Sequence, residues 1–457
     1  MKERRFFLAL VDLLLVNAAV VLAFIIWAVR GDLALGLLFE KQAHWFVLLS
    51  LLWWVSELLS GLYDLSNAIR VEATTRGLAQ TFLIVLVAYI MIFFLVPTEL
   101  PRGIVIYLGI DSVILIALWR RAFIRFAPRA PFRRRALIVG AGWAGETIAR
   151  TIQDQYYSNY DLIGFIEDDP SKRDLTIGSL KVIGDCADLV QVARKNRVAE
   201  IILAVTHEVS PALFRELLNT QEFGIEIKPM PLLYEQITGR VPVEHIGDSW
   251  YLALPVDDRT GSIFSAAFKR IFDIVVAGMG LLIFGLLLPF IALAIRIDSR
   301  GNIFYSQTRV GQGGRIFSVR KLRTMVTDAE RDGQAVWARK NDPRVTRIGK
   351  ILRRLHLDEL PQFLNVVSGE MSIVGPRPER PEFVAQLENQ IPFYRLRHAV
   401  KPGMAGWALV HAGYVDSVDD ARVRVEYDLY YIKHQSMWLD IWILFQTAGH
   451  MLALGGQ

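Results

Sequence analysis

One cysteine, Cys186, is all the thiol chemistry that this 457-residue chain contains. A disulfide within the chain and a cysteine-based metal site are both excluded, which fits a reducing compartment. Charge of one sign is also scarce: 51 Lys and Arg stand against 46 Asp and Glu, a net +5. That surplus suits anionic lipid or phosphate and is too small to argue for nucleic acid, so no nucleic-acid partner is expected. What the chain has in excess is apolar surface. Its 53% hydrophobic content exceeds the usual share of soluble proteins, and the excess is localised. The length suffices for two or three domains, each with its own core.

Four apolar segments open the chain, at about 6–29, 44–63, 78–96 and 103–123. Each is about as long as the ~20 residues that cross a bilayer. No small-residue cleavage site follows the first, which argues against a removable signal peptide. Lys2, Arg4 and Arg5 precede the first segment, and Arg70 and Arg76 lie between the second and third. Arg120, Arg121, Arg125, Arg129 and Arg133-Arg134-Arg135 follow or close the fourth. Under the positive-inside rule both ends of this bundle face the cytoplasm, with everything after Arg135 on that side. Asp12, Asn17, Glu57 and Asp111 fall within the spans, where ionised groups are costly. No basic partner is evident at that depth, and hydrogen bonding between helices is their expected role.

Beyond Arg135 the pattern changes. The short apolar run Ala136–Val139 reads as a buried strand, followed by Gly140-Ala141-Gly142-Trp143-Ala144-Gly145 and a helix. This is G-x-G-x-x-G in its strand–turn–helix setting, with Glu167, Asp168 and Asp169 some twenty residues on. Gly140, Gly142 and Gly145 would let a pyrophosphate reach the helix N-terminus, although a scaffold can keep such a turn without a ligand. With a further strand at Glu200–Val205, the region is expected to be a Rossmann-like α/β domain on a parallel sheet.

A fifth apolar run, Ile271–Ile295, is introduced by Lys269-Arg270 and closed by Arg296 and Arg300. As a straight helix it would measure roughly 38 Å, enough to cross. Both ends are basic, however, and a crossing would export the Arg- and Lys-rich sequence that follows. Pro289 can break the helix, so the run is expected to dip into one leaflet and return. Next, the segments 303–310 and 315–322 flank Gly311-Gln312-Gly313-Gly314 as a hairpin. It delivers Arg320-Lys321-Leu322-Arg323 to the membrane surface. A helix opening near Asp342-Pro343-Arg344 then turns Lys350, Arg353 and Arg354 to one side.

That basic stretch runs into Leu357-Asp358-Glu359-Leu360-Pro361-Gln362. Two adjacent carboxylates beside arginines suit an anionic substrate. Guanidinium groups can hold phosphate oxygens, one carboxylate can attack phosphorus, and the other can hold a magnesium ion. The plain structural reading makes Asp358 a helix N-cap, Glu359 a solvated neighbour and Pro361 a first-turn residue.

The surrounding words decide between these readings. Residues from about Phe264 to Leu454 resemble the bacterial sugar transferases, the monotopic phosphoglycosyl transferases that begin exopolysaccharide or O-antigen assembly. The likeness rests on Lys269-Arg270-x-x-Asp273, Lys321-Leu322-Arg323-Thr324-Met325, Asp342-Pro343-Arg344 and the Asp358-Glu359 motif. It continues through Ser372-Ile373-Val374-Gly375-Pro376-Arg377-Pro378, Arg380-Pro381-Glu382-Phe383, Lys401-Pro402-Gly403 and Tyr427-Asp428-Leu429-Tyr430-Tyr431-Ile432-Lys433. Four amino-terminal spans and a Rossmann-like domain match the large members of that family. The resemblance implies transfer of a sugar-1-phosphate from a UDP-sugar, glucose or galactose by preference, to undecaprenyl phosphate with release of UMP. It implies Asp358 as the nucleophile that forms a covalent phosphosugar intermediate, Glu359 as a ligand for Mg²⁺, and Pro289 as the break in a re-entrant helix. It also implies membrane lipid as a partner, a homodimer, and residence as a multi-pass protein of the bacterial inner (cytoplasmic) membrane.

Lys321, Arg323, Arg353 and Arg377 are the expected phosphate contacts. His356 stands where the family commonly has a small hydroxyl residue, and Leu409 where glutamine is frequent near Trp407. The expected architecture is a four-span α-helical membrane bundle (1–126) and a Rossmann-like α/β domain (127–255). A mixed α/β transferase domain (256–457) follows, with its re-entrant membrane helix at about 266–297. The stretch Met437–Leu454 fits either a helix in the membrane interface or one packed on the protein's own core. A membrane nucleotide-sugar dehydratase shares four spans and a Gly-rich turn but needs Tyr-x-x-x-Lys, and no tyrosine here has lysine four residues later. A catalytically inactive assembly protein would leave the carboxylate pair without a task.

Overall fold

In a computed structural model, residues 2–30, 35–63, 71–95, 104–126, 134–154, 160–206, 209–243, 263–326, 342–412 and 417–452 are described. The expected domain boundary near 255 and part of the arginine cluster, including Arg129 and Arg133, lie outside them. The chain divides into two units, 1–135 with 152–161, and 136–151 with 162–457.

In the first unit each apolar run becomes one helix: α1 (Lys2–Arg30), α2 (Leu35–Leu59), α3 (Val71–Leu95) and α4 (Ile104–Phe126). α1 packs on α2 and α4, and α3 completes the ring against the same two. Val16, Val20, Phe24, Leu49, Trp53, Val85, Leu108 and Ile116 fill its centre, while Leu14, Val47, Leu83, Ile110 and Leu118 face outward. An apolar exterior of this kind is the pattern of helices solvated by lipid. Among the described residues of this unit, α1, through Phe6–Val29, is long and apolar enough to cross a membrane by length and composition.

Several polar groups inside the bundle are paired. Arg120, which the sequence places with the basic flank, turns inward and donates to Asp12 at 2.5 Å with both side chains buried. The expectation that Asp12 lacks a basic partner is thus corrected: packing α4 against α1 brings together residues 108 apart in sequence. Glu57 accepts from Trp53 Nε1 at 3.1 Å and Tyr63 Oη at 2.5 Å, and Ser50 donates to Asn17 at 3.1 Å. Asp111 Oδ2 is buried with no hydrogen-bond partner among the described residues.

The second unit begins with a parallel-sheet α/β fold. Its strands β1 (Arg134–Val139), β2 (Tyr160–Ile166), β3 (Thr176–Ile177), β4 (Leu180–Gly184), β5 (Glu200–Leu203) and β6 (Glu226–Pro229) are ordered β3-β4-β2-β1-β5-β6. β1 with β5, β2 with β4 and β5 with β6 pair in parallel, and β3 runs antiparallel to β4. Helices α5 (Trp143–Asp154), α6 (Leu189–Lys195), α7 (Pro211–Glu222) and α8 (Met230–Thr238) complete it. Apolar runs buried on both faces, such as Leu137, Ile138, Ile201 and Ile202, are what a helix-covered parallel sheet requires.

Gly140 has φ +101°, and a Cβ on Gly145 would meet Gly140 O at 2.0 Å, so the turn demands glycine at both places. Space around Gly142 is open. Glu167 already occupies the turn: its carboxylate accepts from Ala141 N at 2.7 Å and Asp169 N at 3.2 Å. An incoming pyrophosphate would meet that negative charge. Burial pushes the Cys186 thiol up to about 11, leaving little thiolate at neutral pH.

The rest of this unit is built around the long helix α9 (Ile263–Asp298) and the hairpin β7 (Phe304–Val310) and β8 (Ile316–Leu322). Then come α10 (Arg347–Arg354), a 3₁₀ turn Leu357–Gln362, α11 (Phe363–Ser368), β9 (Ser372–Val374), α12 (Pro381–Leu387) and β10 (Gly403–Ala405). Helices α13 (Trp407–His411), α14 (Val418–Lys433) and α15 (Met437–Leu452) finish the chain.

Pro289 lies inside α9, which runs as one helix of 36 residues, so the re-entry expected there would take the form of a bend within a continuous helix rather than a gap between two. A proline removes one intrahelical hydrogen bond, and packing on both sides can hold the helix across it. One flank of α9 carries Ala277, Phe284, Ile291 and Ile295 into the core. The other exposes Leu282, Leu286, Phe290, Leu293 and Ile297. Both ends are fastened to the same fold. Asp273 accepts from Ser372 Oγ and Ile373 N at 3.0 Å, and Asp298 accepts from Ile348 N at 2.9 Å. α15 packs on the protein's own core through Asp440 and Ile443, while Trp438 and Phe445 stay exposed.

The segment after α8 is built into this core. Val241 and Val243 pack with Val310, Tyr394 and Leu429, Trp407 Nε1 donates to Gly239 O at 2.9 Å, and Lys433 pairs with Glu235 at 2.8 Å. Trp407 stacks on Tyr430, so its ring belongs to this joint.

Candidate active site

Asp358 is not the helix cap that its sequence position suggests. The residue preceding the turn is His356, held in the left-handed region at φ +56°, and Asp358 lies inside the 3₁₀ turn with its side chain buried. A single left-handed residue reverses the chain leaving α10, which drops the carboxylate pair under the hairpin. Leu357 and Leu360 anchor the turn among Phe284, Ile291, Leu322 and Leu352. Asn365 ties the following helix to β8 by accepting from Arg320 N at 3.1 Å and donating to Ser318 O at 2.8 Å.

Two of the expected phosphate contacts meet at the dyad. Lys321 Nζ and Arg377 Nη2 both donate to Glu359 Oε1, at 2.8 and 2.7 Å. Burial opposes charge on Glu359, but Arg377 and Lys321 hold its carboxyl well below the usual range. At Asp358 the balance goes the other way. Burial, with Glu359 alongside, raises its carboxyl despite Lys321, Arg353 and Arg377. Environments that drive two neighbouring carboxyls apart assign them different work: one a firm anion, the other a desolvated and more basic oxygen.

Arg353 remains beside the pair, its Nε donating to Thr324 Oγ1 at 2.9 Å. Arg323 does not join them. Its guanidinium donates to Ser299 O at 2.7 Å, Ser299 Oγ at 2.9 Å and Arg300 O at 2.9 Å, closing the end of α9. The expected phosphate role is corrected for that residue: carbonyls left unpaired at a helix end take up the donors.

Arg377 is held through its backbone by residues that sequence reasoning passed over. Arg397 donates to Arg377 O at 3.0 Å and pairs with Asp428 at 2.8 Å, both side chains 2% exposed. Arg309 donates to Pro378 O at 3.0 Å, and Glu379 lies between Arg309 and Arg424 at 3.4 and 3.0 Å. The loop also rests on β9 and β10, where a Cβ on Gly375 would come within 2.4 Å of Lys401 O. Only the written words Gly375-Pro376-Arg377 and Lys401-Pro402-Gly403 signalled this. Nothing local marks Arg397 or Arg309.

His398, edge-on to Tyr394, is pushed down from 6.5 to about 4 by burial and by Arg397 and Arg395. Between those two pH values the unfolded chain binds a proton that the folded chain refuses. Stability from this source is full above about 6.5 and is lost as pH falls toward 4. Thermal melting across that window should show a shallower acid decline in His398→Gln than in the parent.

Among the described residues no group of three His, Cys, Asp or Glu side chains is placed to hold a metal by itself. The dyad nonetheless fits magnesium's habit of binding through one or two carboxylates together with substrate phosphate. Both cations share Glu359 Oε1, and no described contact occupies Oε2.

This arrangement belongs to a known class. Residues 264–454 match the family model described as bacterial sugar transferase, and residues 58–217 match one described as CoA-binding domain. A UDP-galactose-lipid carrier transferase of Erwinia amylovora is 30% identical over 82% of this chain and 80% of its own length. A UDP-glucose:undecaprenyl-phosphate glucose-1-phosphate transferase of Klebsiella pneumoniae is 34% identical over 69% of this chain and 67% of its own. A third relative is a UDP-N-acetylgalactosamine-undecaprenyl-phosphate N-acetylgalactosaminephosphotransferase of Aeromonas hydrophila. It is 44% identical over 47% of this chain, which spans about half of that relative's length. The chain belongs to the bacterial sugar transferase family.

Proposed function

We propose that this protein transfers a hexose-1-phosphate from a UDP-sugar to undecaprenyl phosphate and releases UMP, as the first membrane step of exopolysaccharide or O-antigen synthesis. The observation that carries this is the divergence of the two adjacent carboxyls, with Glu359 clasped by two cations and Asp358 buried and made more basic. An oxygen of Asp358 attacks the sugar-bearing phosphorus of the donor, the bond to the bridging oxygen breaks, and UMP leaves with that electron pair. The acceptor's phosphate oxygen then attacks the same phosphorus and frees the aspartate. A carboxylate can do this without a partnered base. Lys321, Arg353 and Arg377 balance charge on the phosphoryl oxygens, the main demand of phosphoryl transfer. Magnesium, held by Glu359 with Asp358 adjacent, would neutralise diphosphate charge when bound.

The membrane reading follows from α9. A helix with both ends tied to one polar fold cannot cross unless that fold crosses as well, which supports entry and return on one face. The four amino-terminal helices are read as spans, with both soluble parts cytoplasmic in a bacterial inner membrane.

The relatives' names differ in sugar, so the donor is best found by a panel. With undecaprenyl phosphate and magnesium, one among UDP-glucose, UDP-galactose and UDP-N-acetylgalactosamine should give continuous UMP release. Without acceptor it should give about one UMP per protein. No UMP from any of the three would sink the proposal.

A further inference from the structure

α9 passes from polar to apolar sequence at Lys269-Arg270, where a helix lying in a bilayer meets phosphate headgroups. The cations there are not equally satisfied. Lys269 pairs with Asp440 at 2.6 Å. Arg270 donates to Val366 O at 2.7 Å and Val367 O at 2.8 Å, closing the end of α11. Lys401 comes to the same place from 131 residues further along. A Cβ built on Gly369 would lie 3.5 Å from Arg270 Nη2 and 3.6 Å from Lys401 Nζ, so both cations face one point. Among the described residues no carboxylate pairs with either. The nearby acid, Asp273, is engaged with Ser372 and Ile373. Burial, with Arg270 and Lys269 adding repulsion against the attraction of Asp273, pushes the Lys401 ammonium down. Two convergent cations with no carboxylate paired to either favour an anion between them.

The flanks say what carries the anion. Phe268 and Ile271 on α9, and Leu364 and Val367 on α11, are exposed apolar side chains around this point. A free phosphate would gain nothing from them, whereas a hydrocarbon chain would. We propose that Arg270 and Lys401 bind the phosphate of a membrane lipid whose hydrocarbon lies along α9. The leucines flanking the dyad, Leu357 and Leu360, share a cluster with Leu281, Phe284, Ile291 and Ile295, at least eleven residues further along α9, whereas this site gathers at Arg270. It therefore does not rest on the transferase reading.

Native mass spectrometry of the full chain in detergent tests this, with phosphatidylglycerol, undecaprenyl phosphate and diacylglycerol as probes. One phosphate-bearing lipid should be retained and diacylglycerol should not. Whichever phosphate lipid is retained identifies the source. Lys401→Gln should weaken that retention roughly fivefold to tenfold. Gly369→Asp should displace the lipid with Lys401 intact, because aspartate tolerates a left-handed position and places its own carboxylate between the cations. Lys195→Gln, an exposed cation on the sheet domain, should change nothing. Undiminished retention in both Lys401→Gln and Gly369→Asp, or equal retention of diacylglycerol, would overturn the proposal.

Discussion

Replacing Asp358 with asparagine is expected to lower UMP release by more than about a thousandfold while making the protein slightly more stable. The activity loss follows from removing the attacking oxygen: an amide cannot form the acyl phosphate. The stability gain follows from the direction of the carboxyl's shift. A pKa raised in the folded state means that folding opposes the charge at neutral pH, so a neutral side chain of the same shape relieves that opposition. Glu359→Gln should also impair turnover, but with the opposite effect on melting. Its lowered pKa means that folding favours the charge, and glutamine leaves Lys321 and Arg377 with a weaker partner. Paired melting curves and UMP assays read both signs at once. If Asp358→Asn retained full turnover, the covalent route would be lost.

Arg397→Met should cost about 3–5 kcal/mol, the usual result of removing one partner from a buried ion pair. It takes the hydrogen-bonded partner from the buried Asp428 carboxylate and frees the Arg377 carbonyl. The double variant Arg397→Met with Asp428→Leu should recover most of the stability, because no uncompensated charge remains. Activity should not recover to the same extent, since the tether on the Arg377 loop is still missing. Chemical denaturation with UMP release separates the two effects. Equal recovery of stability and activity would show that the pair acts on stability alone.

Much of the architecture was legible in local sequence. Runs of about twenty apolar residues became the helices α1–α4, and Gly311–Gly314 closed the expected hairpin, with Gly313 and Gly314 at positive φ. Gly140 and Gly145 formed the tight turn that their spacing indicates. Such features depend on neighbours a few residues away. Arg120 and Arg323 were misread for the opposite reason. Both sit in basic clusters, yet one turns inward to Asp12 and the other closes a helix end, because packing brought acceptors closer than solvent or substrate. Asp358 looked like a cap since caps are judged from adjacent residues. A left-handed His356 moved it inside the turn.

By itself the sequence determined the chemistry available: two neighbouring carboxylates, a surplus of arginine near them, and apolar helices to keep both at a membrane. Composition and periodicity are properties of the chain, so they survive without coordinates. Tertiary structure alone decided which carboxyl is clasped and which is buried, and which arginines remain for phosphate. It also brought Lys401 beside Arg270. Those outcomes depend on desolvation and on distances of a few ångströms between residues far apart in the chain, and folding alone sets them.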